Sequence, residues 1–432
     1  MKILFIENMY KTYTWEKIAE GLIIDGHEIS FLVQNKIFTP KNFDYQMIQY
    51  PSKNDLKKSS KNLQKIIRAD RNINYFGGNN DHYDYYYAQI EKYITRYQPS
   101  VVFGESTLFH ELMAIEICRK NRILYLHPSE IGYPKDRIAF YNFDTKEPYH
   151  FKKNKKNYDK DAINFINEIK KRSIEPRYMG NKKISLFAKF KDRVVRFIGR
   201  LGGEVYNTPS LIKKIELNKR LKKLIILWNE QSKKISDITS LNKKIIMFPM
   251  HLQPEANIDV WGQEYQNQTK LIEKIVTNLP NNWLLAVKLN PKTKYELTSD
   301  LVKLCSENKK IICINSQEKI KGIFDISDII ITVTGTILIE CIFSNKPVLS
   351  LNKTDFLKVK GNQFLDKIEN IKIYLDNYEN NVHASFDDKL YFYNKMINQT
   401  YDGNMVCGPF ETLDKTNIIR LQKAFKEVLK SI

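Results

Sequence analysis

The sequence is poor in cysteine and contains no long apolar segment. Its 432 residues include five cysteines, an odd number with no C-x-x-C pair, which excludes a disulfide scaffold and a cysteine-based zinc site and favours a reducing compartment. No apolar run reaches the roughly 18 residues that spanning a bilayer requires. The opening segment, MKILFIENMY, also lacks the apolar core and cleavage site of a signal peptide. We therefore expect a soluble cytoplasmic protein.

Negative charge is scarce relative to positive charge. The chain has 69 Lys and Arg residues against 49 Asp and Glu residues, a formal net charge of +20. Such an excess predicts an anionic partner, either a nucleotide, a membrane surface or a nucleic acid. A hydrophobic fraction of 42% and a charged fraction of 27% are typical of folded proteins, and the length suffices for two domains.

Several nucleotide and hydrolase motifs are absent. The sequence has no G-x-x-x-x-G-K-[ST], no G-x-G-x-x-G after its first strand, no G-x-S-x-G and no H-E-x-x-H. These absences exclude a P-loop and argue against a dinucleotide oxidoreductase. The one D-x-D, Asp159-Lys160-Asp161, lies in a Lys-rich helical stretch rather than after a strand. We therefore predict neither a metal site nor a bound cofactor.

Short apolar strands alternate with helical patterns in both halves of the chain. The predicted strands are Lys2 to Ile6, 29–33, 100–103, 123–126 (stopped by His127-Pro128), 244–248, 283–289, 311–314 and 328–333. This alternation predicts an α/β protein with two Rossmann-like, doubly wound domains that face a cleft. The expected organisation is a first domain over 1–150, a basic and largely helical connector over 151–240, a second domain over 241–410 and a C-terminal helix over 411–432.

The connector concentrates the positive charge. Residues 151–240 contain 24 Lys or Arg and nine Asp or Glu, which accounts for 15 of the 20 net charges. Within it, apolar residues recur at helical spacing beside a stripe of bases, at Phe187, Phe190, Val194, Phe197 and Leu201 and at Lys189, Arg193, Arg196 and Arg200. Residues 182–223 are therefore a candidate surface for an anionic membrane. The alternative is a helix packed on its own domain with a solvated basic face; no motif indicates specific nucleic-acid binding.

Three polar segments follow strands in the second half, at the sheet edge where open α/β folds bind ligands. The residues are His251, Gln253 and Glu255 in the first segment, Lys288 and Asn290 in the second, and Thr334, Gly335, Thr336 and Glu340 in the third. An extended backbone would put the first three on one side, where they would read a sugar or a base. Lys288 would neutralise a phosphate, and the Gly335 turn with the following helix N-terminus would cradle it. The alternatives are an irregular loop, a solvated lysine and a helix capped by Thr336.

Carboxylates also follow strands in the first half. Glu105 comes directly after one predicted strand and Glu130 after the next, with Arg137 a few residues further on. Carboxylates from neighbouring strand ends are suited to act as a general base or a nucleophile. The alternative for each is a solvated or helix-capping carboxylate.

Segments in both halves of the chain resemble those of a known protein family. FPMHLQPEANIDVWG, VKLNP and ISDIIITVTGTILIECIFSNKPVL, within residues 244–352, resemble the bacterial capsule polysaccharide synthesis family. Its members are GT-B glycosyltransferases related to the Kdo transferases, which use CMP-activated ulosonic acids. A weaker resemblance covers 99–142, through GES and SEIGYPKDRIAFYN. The family has a His-Pro pair where this chain has Asn290-Pro291, so the phosphate is expected to rely on Lys288 and the Thr334–Thr336 turn.

The resemblance implies a glycosyltransferase that moves a sugar from a nucleotide donor, CMP-linked Kdo or another nonulosonic acid, to a capsule-type or lipopolysaccharide-type glycan with retention of configuration. It places the donor on the residues singled out in the second half and makes Glu105, Glu130 and Arg137 the catalytic group. The positive charge would hold the enzyme at the inner membrane face, near lipid-linked acceptors. The alternatives are a UDP-sugar transferase, an enzyme of the UDP-GlcNAc 2-epimerase type and a non-catalytic polyanion-binding protein.

Overall fold

The structure is a computed structural model that describes residues 1–149, 156–176, 185–353, 359–378, 383–405 and 414–432. Residues 182–184 of the candidate membrane surface, residues 411–413 of the expected C-terminal helix and Cys407 lie outside the described residues. The other four cysteines are buried and carry free thiols.

Strands and helices alternate through most of the chain. The strands are β1 (Lys2–Ile6), β2 (Glu28–Val33), β3 (Tyr45–Met47), β4 (Val101–Phe103), β5 (Leu124–Glu130), β6 (Arg137–Asn142), β7 (Lys244–Pro249), β8 (Trp283–Lys288), β9 (Ile311–Cys313), β10 (Ile329–Thr332), β11 (Val348–Ser350), β12 (Asn362–Phe364) and β13 (Tyr401–Asp402). The helices are α1 (Lys11–Ile23), α2 (Gln64–Ala69), α3 (Tyr83–Tyr97), α4 (Phe109–Lys120), α5 (Asp159–Lys171), α6 (Leu186–Leu201), α7 (Leu211–Glu230), α8 (Ile235–Thr239), α9 (Ala256–Asp259), α10 (Gln268–Thr277), α11 (Ser299–Glu307), α12 (Ile320–Ile326), α13 (Ile337–Ser344), α14 (Ile371–Asp376), α15 (Phe386–Asn398) and α16 (Lys415–Leu429).

The chain divides into two compact units. The first contains Met1–Lys156, Pro176–Lys213 and Met396–Ile432, and the second contains Asn157–Glu175 and Lys214–Lys395. These bounds differ from the expected domains in two ways. The basic stretch 151–240 is shared between the units, and the C-terminal residues 396–432 return to the first unit. Each unit is an α/β fold around one predominantly parallel sheet, which confirms the predicted fold class.

The first unit is built on a seven-stranded sheet in the order β13-β6-β5-β4-β1-β2-β3. From β5 to β3 the strands are parallel, whereas β6 pairs antiparallel with both β5 and β13. The prediction that His127-Pro128 stops β5 is wrong, because the strand continues to Glu130. Its extension forms a ladder with β6 that places Pro128 opposite Phe140. This partner strand was not predicted, and it supplies the pairing that the parallel neighbour β4 is too short to give.

The aromatic core explains why the C-terminus belongs to the first unit. Phe5, Phe31 and Phe103 stack across the three central strands at centroid distances of 5.3 and 5.5 Å. Phe425 of α16 closes this layer, with its ring centroid 4.7 Å from that of Phe103. Because α16 buries one apolar side here and Gln422 donates to a carbonyl of α1 at 2.8 Å, the C-terminal helix is part of the first core.

The second unit has an entirely parallel six-stranded sheet in the order β12-β11-β10-β7-β8-β9. Successive residues of β7 enter opposite cores: Ile246 and Phe248 pack into one apolar layer, Ile245 and Met247 into the other. A parallel sheet covered on both faces requires such continuous apolar strands. Polar side chains are therefore confined to the edges of the sheet, where the strands end.

Within the described residues, no helix combines the length and apolar character of a bilayer-spanning segment. The helix predicted from the spacing of Phe187 to Leu201 is present as α6, and its Ser185 cap accepts a hydrogen bond from Ala188 N at 3.1 Å.

Arg137 joins β6 to the C-terminal segment. Its guanidinium donates to Thr400 Oγ1 at 2.7 Å, to the carbonyls of Thr400 and Ile397 at 2.7 and 3.0 Å, and to Asp402. Every nitrogen of the guanidinium therefore has an acceptor within the first unit. This arrangement gives Arg137 a structural role that its position in the sequence does not reveal.

We expect Arg137→Gln to lower the free energy of unfolding by about 2–4 kcal/mol, because four acceptors lose a charged donor and three of them lie in a largely covered segment. Urea denaturation measures the change. The exposed Arg122→Gln is the matched control and should stay within about 0.5 kcal/mol of the parent protein. Unchanged stability of the Arg137 variant would contradict this structural role, and loss of catalytic activity at unchanged stability would support its assignment to the catalytic group.

Candidate functional site at the switch points of the two sheets

In both units the strand order reverses at the first strand. Read from β3, the first sheet runs 3-2-1-4-5; the second, read from β9, has the same winding with β7 in the first place and β10 in the fourth. Crossover connections from these two neighbouring strands go to opposite faces of the sheet, so the loops at their carboxyl ends diverge and leave a crevice. The crevice of the second unit is bordered by the loops after β7 and β10, which contain His251 and Thr334.

His251 lies against the turn after β10. Its Nε2 is 3.2 Å from Thr332 Oγ1 and 3.5 Å from Thr334 N. Burial lowers the pKa of His251 to about 4, so the imidazole is neutral at pH 7. Among the described residues no hydrogen-bond partner faces its Nδ1, which leaves this nitrogen able to bind a ligand.

The turn itself depends on glycine. Gly335 has a φ of +102°, a conformation that side chains with a Cβ rarely adopt, and the His251 ring lies 3.6 Å from where a Cβ would be. Thr336 occupies the N-cap position of α13, but its hydroxyl makes no capping hydrogen bond. The amides of Leu338 and Ile339 donate to the carbonyls of Gly335 and Thr336 at 3.3 and 3.0 Å, whereas the Ile337 amide has no acceptor among the described residues. The anion-binding character of this helix N-terminus therefore rests on the Ile337 amide and the helix dipole. Thr334 Oγ1 donates to Asn257 O at 3.3 Å and so ties the two loops together.

Gln253 and Glu255 do not converge with His251. Gln253 is buried; its amide donates to Asp259 Oδ1 at 2.8 Å and to Gln266 O at 3.1 Å. Glu255 accepts from Asn257 Nδ2 at 3.1 Å. The Gln253 and Glu255 side chains therefore contact residues of α9, whereas the His251 ring contacts the turn after β10.

Gln268 holds the His251 loop in place. It accepts from His251 N at 2.8 Å and donates to His251 O at 2.8 Å and to Gln253 Oε1 at 3.2 Å. Sequence reasoning missed this residue, since it lies 17 residues downstream at the start of α10. The only available signal was a polar residue among the buried positions of an amphipathic helix.

Lys288 is a buried cation at the end of β8, the neighbour of β7. The residue is only 3% exposed, and its ammonium donates to the carbonyls of Leu289 and Ser316, each at 3.3 Å. Burial lowers its pKa to about 8, whereas the charge of Glu318 acts in the opposite direction. Within the described residues no carboxylate forms an ion pair with it. Asn290 accepts from Lys292 N at 2.9 Å and so shapes the loop beyond.

Glu340 is paired within its own unit. Its carboxylate lies 3.4 Å from the Arg172 guanidinium, which also approaches Asp325 at 3.7 Å and stacks on Phe324 at 3.3 Å. Arg172 ends α5 in a left-handed conformation. The pair joins α5 to α13, a contact over 168 positions that sequence reasoning had no means to find.

In the first unit the corresponding loops follow β1 and β4. Glu105 follows β4, and its carboxylate forms a buried ion pair with Lys11 at the start of α1. Burial raises the pKa of Glu105, whereas the Lys11 ammonium acts in the opposite direction. Gly104 is required beside it, because a Cβ there would clash with the Tyr125 hydroxyl that donates to Glu105 O at 2.6 Å.

Glu111 joins the two loops of the first unit. It caps α4 by accepting from Leu108 N at 2.8 Å, and it also accepts from Asn8 Nδ2 at 2.8 Å and Glu105 N at 3.3 Å. Glu7, directly after β1, is fully buried and accepts from three backbone amides, Met9, Gln34 and Asn35. Burial raises its pKa to about 8 in spite of these donors. Its place after a strand was the same signal that pointed to Glu105, and sequence reasoning missed it.

The described contact of Glu130 is with a different part of the first unit from those of Glu7, Glu105 and Glu111. Its carboxylate accepts from Met405 N at 3.0 Å, in the same C-terminal segment that Arg137 binds. In the described residues, no three His, Cys, Asp or Glu side chains are arranged to hold a metal ion.

Comparisons with known proteins give only low similarities. Neither a protein-family model nor a curated protein matches the chain. Among solved structures, the Thermosulfurimonas dismutans KpsC, a β-Kdo 2,7-transferase, is 12% identical over 100% of this chain and 99% of its own, with a TM-score of 0.39. The β-Kdo 2,4-transferase of the same KpsC is 11% identical over 68% and 78%, with a TM-score of 0.33. The UDP-GlcNAc 2-epimerase from Methanocaldococcus jannaschii is 13% identical over 92% and 99%, with a TM-score of 0.27. Scores this low carry no argument about function, so the chemistry must be argued from the residues.

The buried ammonium of Lys288 predicts a specific pH dependence. Its pKa is lowered from about 10.5 to about 8, so between these pH values the unfolded chain binds more protons than the folded one. The free energy of unfolding should therefore rise with pH there, by up to about 3 kcal/mol from this group. Urea denaturation from pH 7.5 to 10.5 should show the parent protein gaining stability relative to Lys288→Met. Lys270→Met, on an exposed lysine, should show a constant difference; a constant difference for Lys288→Met would contradict the buried charge.

Proposed function

We propose that this protein is a glycosyltransferase that moves a sugar from a nucleotide donor, CMP-linked Kdo or another nonulosonic acid, to a bacterial surface glycan with retention of configuration. The sequence resemblance over residues 244–352 supports the reaction class and the CMP donor. The single observation that carries the proposal is the set of groups at the switch point of the second unit. A neutral His251, the glycine turn with the α13 N-terminus and the buried cation Lys288 have the properties that a sugar phosphate requires.

The phosphate is recognised through two sources of positive potential. The Ile337 amide, beyond Gly335, offers a donor at the positive end of the α13 dipole. Lys288 offers a full charge whose only described contacts are carbonyl oxygens, so an anion would complete its neutralisation. Because these groups supply the charge, we propose that the reaction needs no metal ion. His251 and the Thr334 and Thr336 hydroxyls are proposed to orient the phosphate and the sugar.

The remaining donor-side residues act through the loops. Gln253 and Glu255 hold the His251 loop in shape through Asp259 and Asn257, and Asn290 holds the loop after β8. Glu340 holds α13 through Arg172. We propose that these residues are positioning residues, whereas His251, Lys288 and the turn contact the donor.

The first unit is proposed to supply the catalytic carboxylate, Glu105. Burial raises the pKa of Glu105, but its ion pair with Lys11 favours the ionised form, which a nucleophile or general base must have. Glu130 and Arg137 remain proposed members of this group, although their described contacts are to the C-terminal segment. A lipid-linked acceptor is proposed to be met at the inner membrane face, through residues 182–223.

The donor is tested by a thermal-shift panel of CMP, UDP, GDP and ADP without added metal. A ligand that binds only the folded state raises the melting temperature by mass action. We expect selective stabilisation by CMP, and loss of that shift in Lys288→Met and in Gly335→Ala. The controls are Lys270→Met and Gly26→Ala, since Gly26 also has a positive φ but no neighbour within 4 Å of a Cβ.

The other outcomes select other functions. A shift with UDP alone would replace the donor and favour a UDP-sugar transferase or an epimerase. No shift with any nucleotide, together with strongly salt-dependent polyanion binding, would contradict the enzyme and favour a binding protein.

Glu105→Gln should abolish sugar transfer while the CMP-induced thermal shift remains. The amide keeps the shape of the side chain but can neither attack nor accept a proton. Transfer from CMP-Kdo and the nucleotide shift are measured on the same preparation, with the melting temperature as a check because Lys11 loses its buried partner. Glu20→Gln, at an exposed pair with Lys17, is the matched control. Equal loss of transfer and of nucleotide binding would contradict the catalytic role.

A further inference from the structure

Helix α6 exposes an apolar side to solvent. At about 100° per residue, seven apolar side chains fall within an arc of about 120°. Their exposed fractions range from 39% to 83%, for Leu186, Phe187, Phe190, Val194, Phe197, Ile198 and Leu201. This is the opposite of the arrangement expected for a helix packed on its own domain, which buries its apolar side.

The packed side of α6 is narrow and carries small or polar residues. Gly199 is buried, and a Cβ there would lie 3.5 Å from Ile37. Asp192 accepts from the Tyr10 hydroxyl at 3.1 Å and from Arg196 Nε at 2.9 Å. The helix is thus held to the first unit through this side, which leaves the apolar arc free to contact something else.

Basic residues border the apolar arc. Lys189 and Arg193 lie along one border and Lys191 along the other. Arg196 and Arg200 lie on the first border as well, where Arg196 pairs with Asp192, the one acidic residue of α6, and Arg200 donates to Thr208 O at 3.0 Å. An apolar stripe with basic borders matches the boundary of an anionic bilayer, where rings enter the acyl region and bases meet the headgroups. Only the long stems of Lys and Arg allow both contacts at once.

We infer that α6 lies in the plane of an anionic membrane, with Phe187 and Phe190 inserted below the headgroups. The inference deepens the proposed function, on which it rests for the identity of a lipid-linked acceptor, and it defines the membrane contact within residues 182–223 as this helix. A second copy of the chain is a poorer occupant. A two-fold contact through this side would bring the same basic borders against each other.

Vesicle co-sedimentation of the full chain tests the inference. Vesicles of phosphatidylcholine alone are compared with vesicles of phosphatidylcholine and phosphatidylglycerol, at low and high salt. We expect at least tenfold stronger binding to the anionic vesicles, weakened by salt. The double variant Phe187→Gln with Phe190→Gln should lose about tenfold in affinity for each ring. Lys189→Gln with Arg193→Gln should lose about fivefold for each charge.

A matched control separates insertion from general attraction of a basic protein. Ile24→Gln with Ile373→Gln changes two exposed apolar side chains elsewhere, 81% and 63% exposed, and should bind as the parent protein does. Unchanged melting temperatures establish that all variants are folded. Equal binding of the phenylalanine variant and the parent protein would overturn the inference, as would equal binding of the parent protein to both kinds of vesicle.

Self-association is measured on the same proteins by sedimentation velocity. A dimer that the phenylalanine substitutions dissociate, without vesicle binding, would show that a second copy covers α6 and would overturn the inference. The CMP-induced thermal shift, recorded without lipid, reports the proposed function separately. Loss of vesicle binding with an intact shift contradicts the membrane contact alone, and vesicle binding without a shift contradicts the donor alone.

Discussion

The burial of each central strand on both faces is the constraint on which the rest of the structure depends. In the second unit β7 sends alternate side chains into two separate apolar layers, so no polar group can be placed along its length without a large desolvation cost. Chemistry is confined to the ends of the strands. The winding order then selects two of these ends in each unit, because the loops after the first and fourth strands diverge. His251 and the Gly335 turn lie at one such place, and Glu7 and Glu105 at the other.

The same confinement sets the charge states of the polar groups at these strand ends. Burial keeps His251 neutral, lowers the pKa of Lys288 and raises that of Glu105, and it is the largest cause in all three. The supporting groups differ in kind. Glu105 has an ammonium as its partner, whereas among the described residues the contacts of the Lys288 ammonium are carbonyl oxygens. A buried charge with neutral contacts is costly to the folded state, and an anionic ligand relieves that cost. The asymmetry therefore favours the second unit as the binder of an anion.

The sequence predicted the parallel strands well, because β1, β7 and β8 are continuous apolar runs that end at polar residues or proline. It failed where the outcome depended on the partner of a strand or side chain, whether that partner is near or distant in the chain. The ladder between β5 and β6 replaced an expected stop at Pro128, and Arg137 proved to bind residues more than 250 positions away. Gln253 is predicted from the sequence to bind the donor, and in the structure its amide donates to Asp259 and accepts from Gln268. The local sequence pattern predicts whether a position is buried or exposed. It does not predict which other residue the side chain contacts in the folded protein.

Helix α6 shows this limit in its sharpest form. The spacing of its phenylalanines predicts a helix with one apolar side, but it is equally consistent with that side covered or exposed. What decides between them is the size of the residues on the opposite side. Gly199 leaves room for the helix to approach the first unit by its least apolar surface, and Asp192 is fixed there by Tyr10 and Arg196. Held in this way, α6 leaves the side chains of its apolar arc in contact with solvent rather than with the interior of the first unit. Exposed aromatic rings are costly in water, so this side of α6 favours contact with a non-aqueous surface. The basic borders indicate that this surface is anionic.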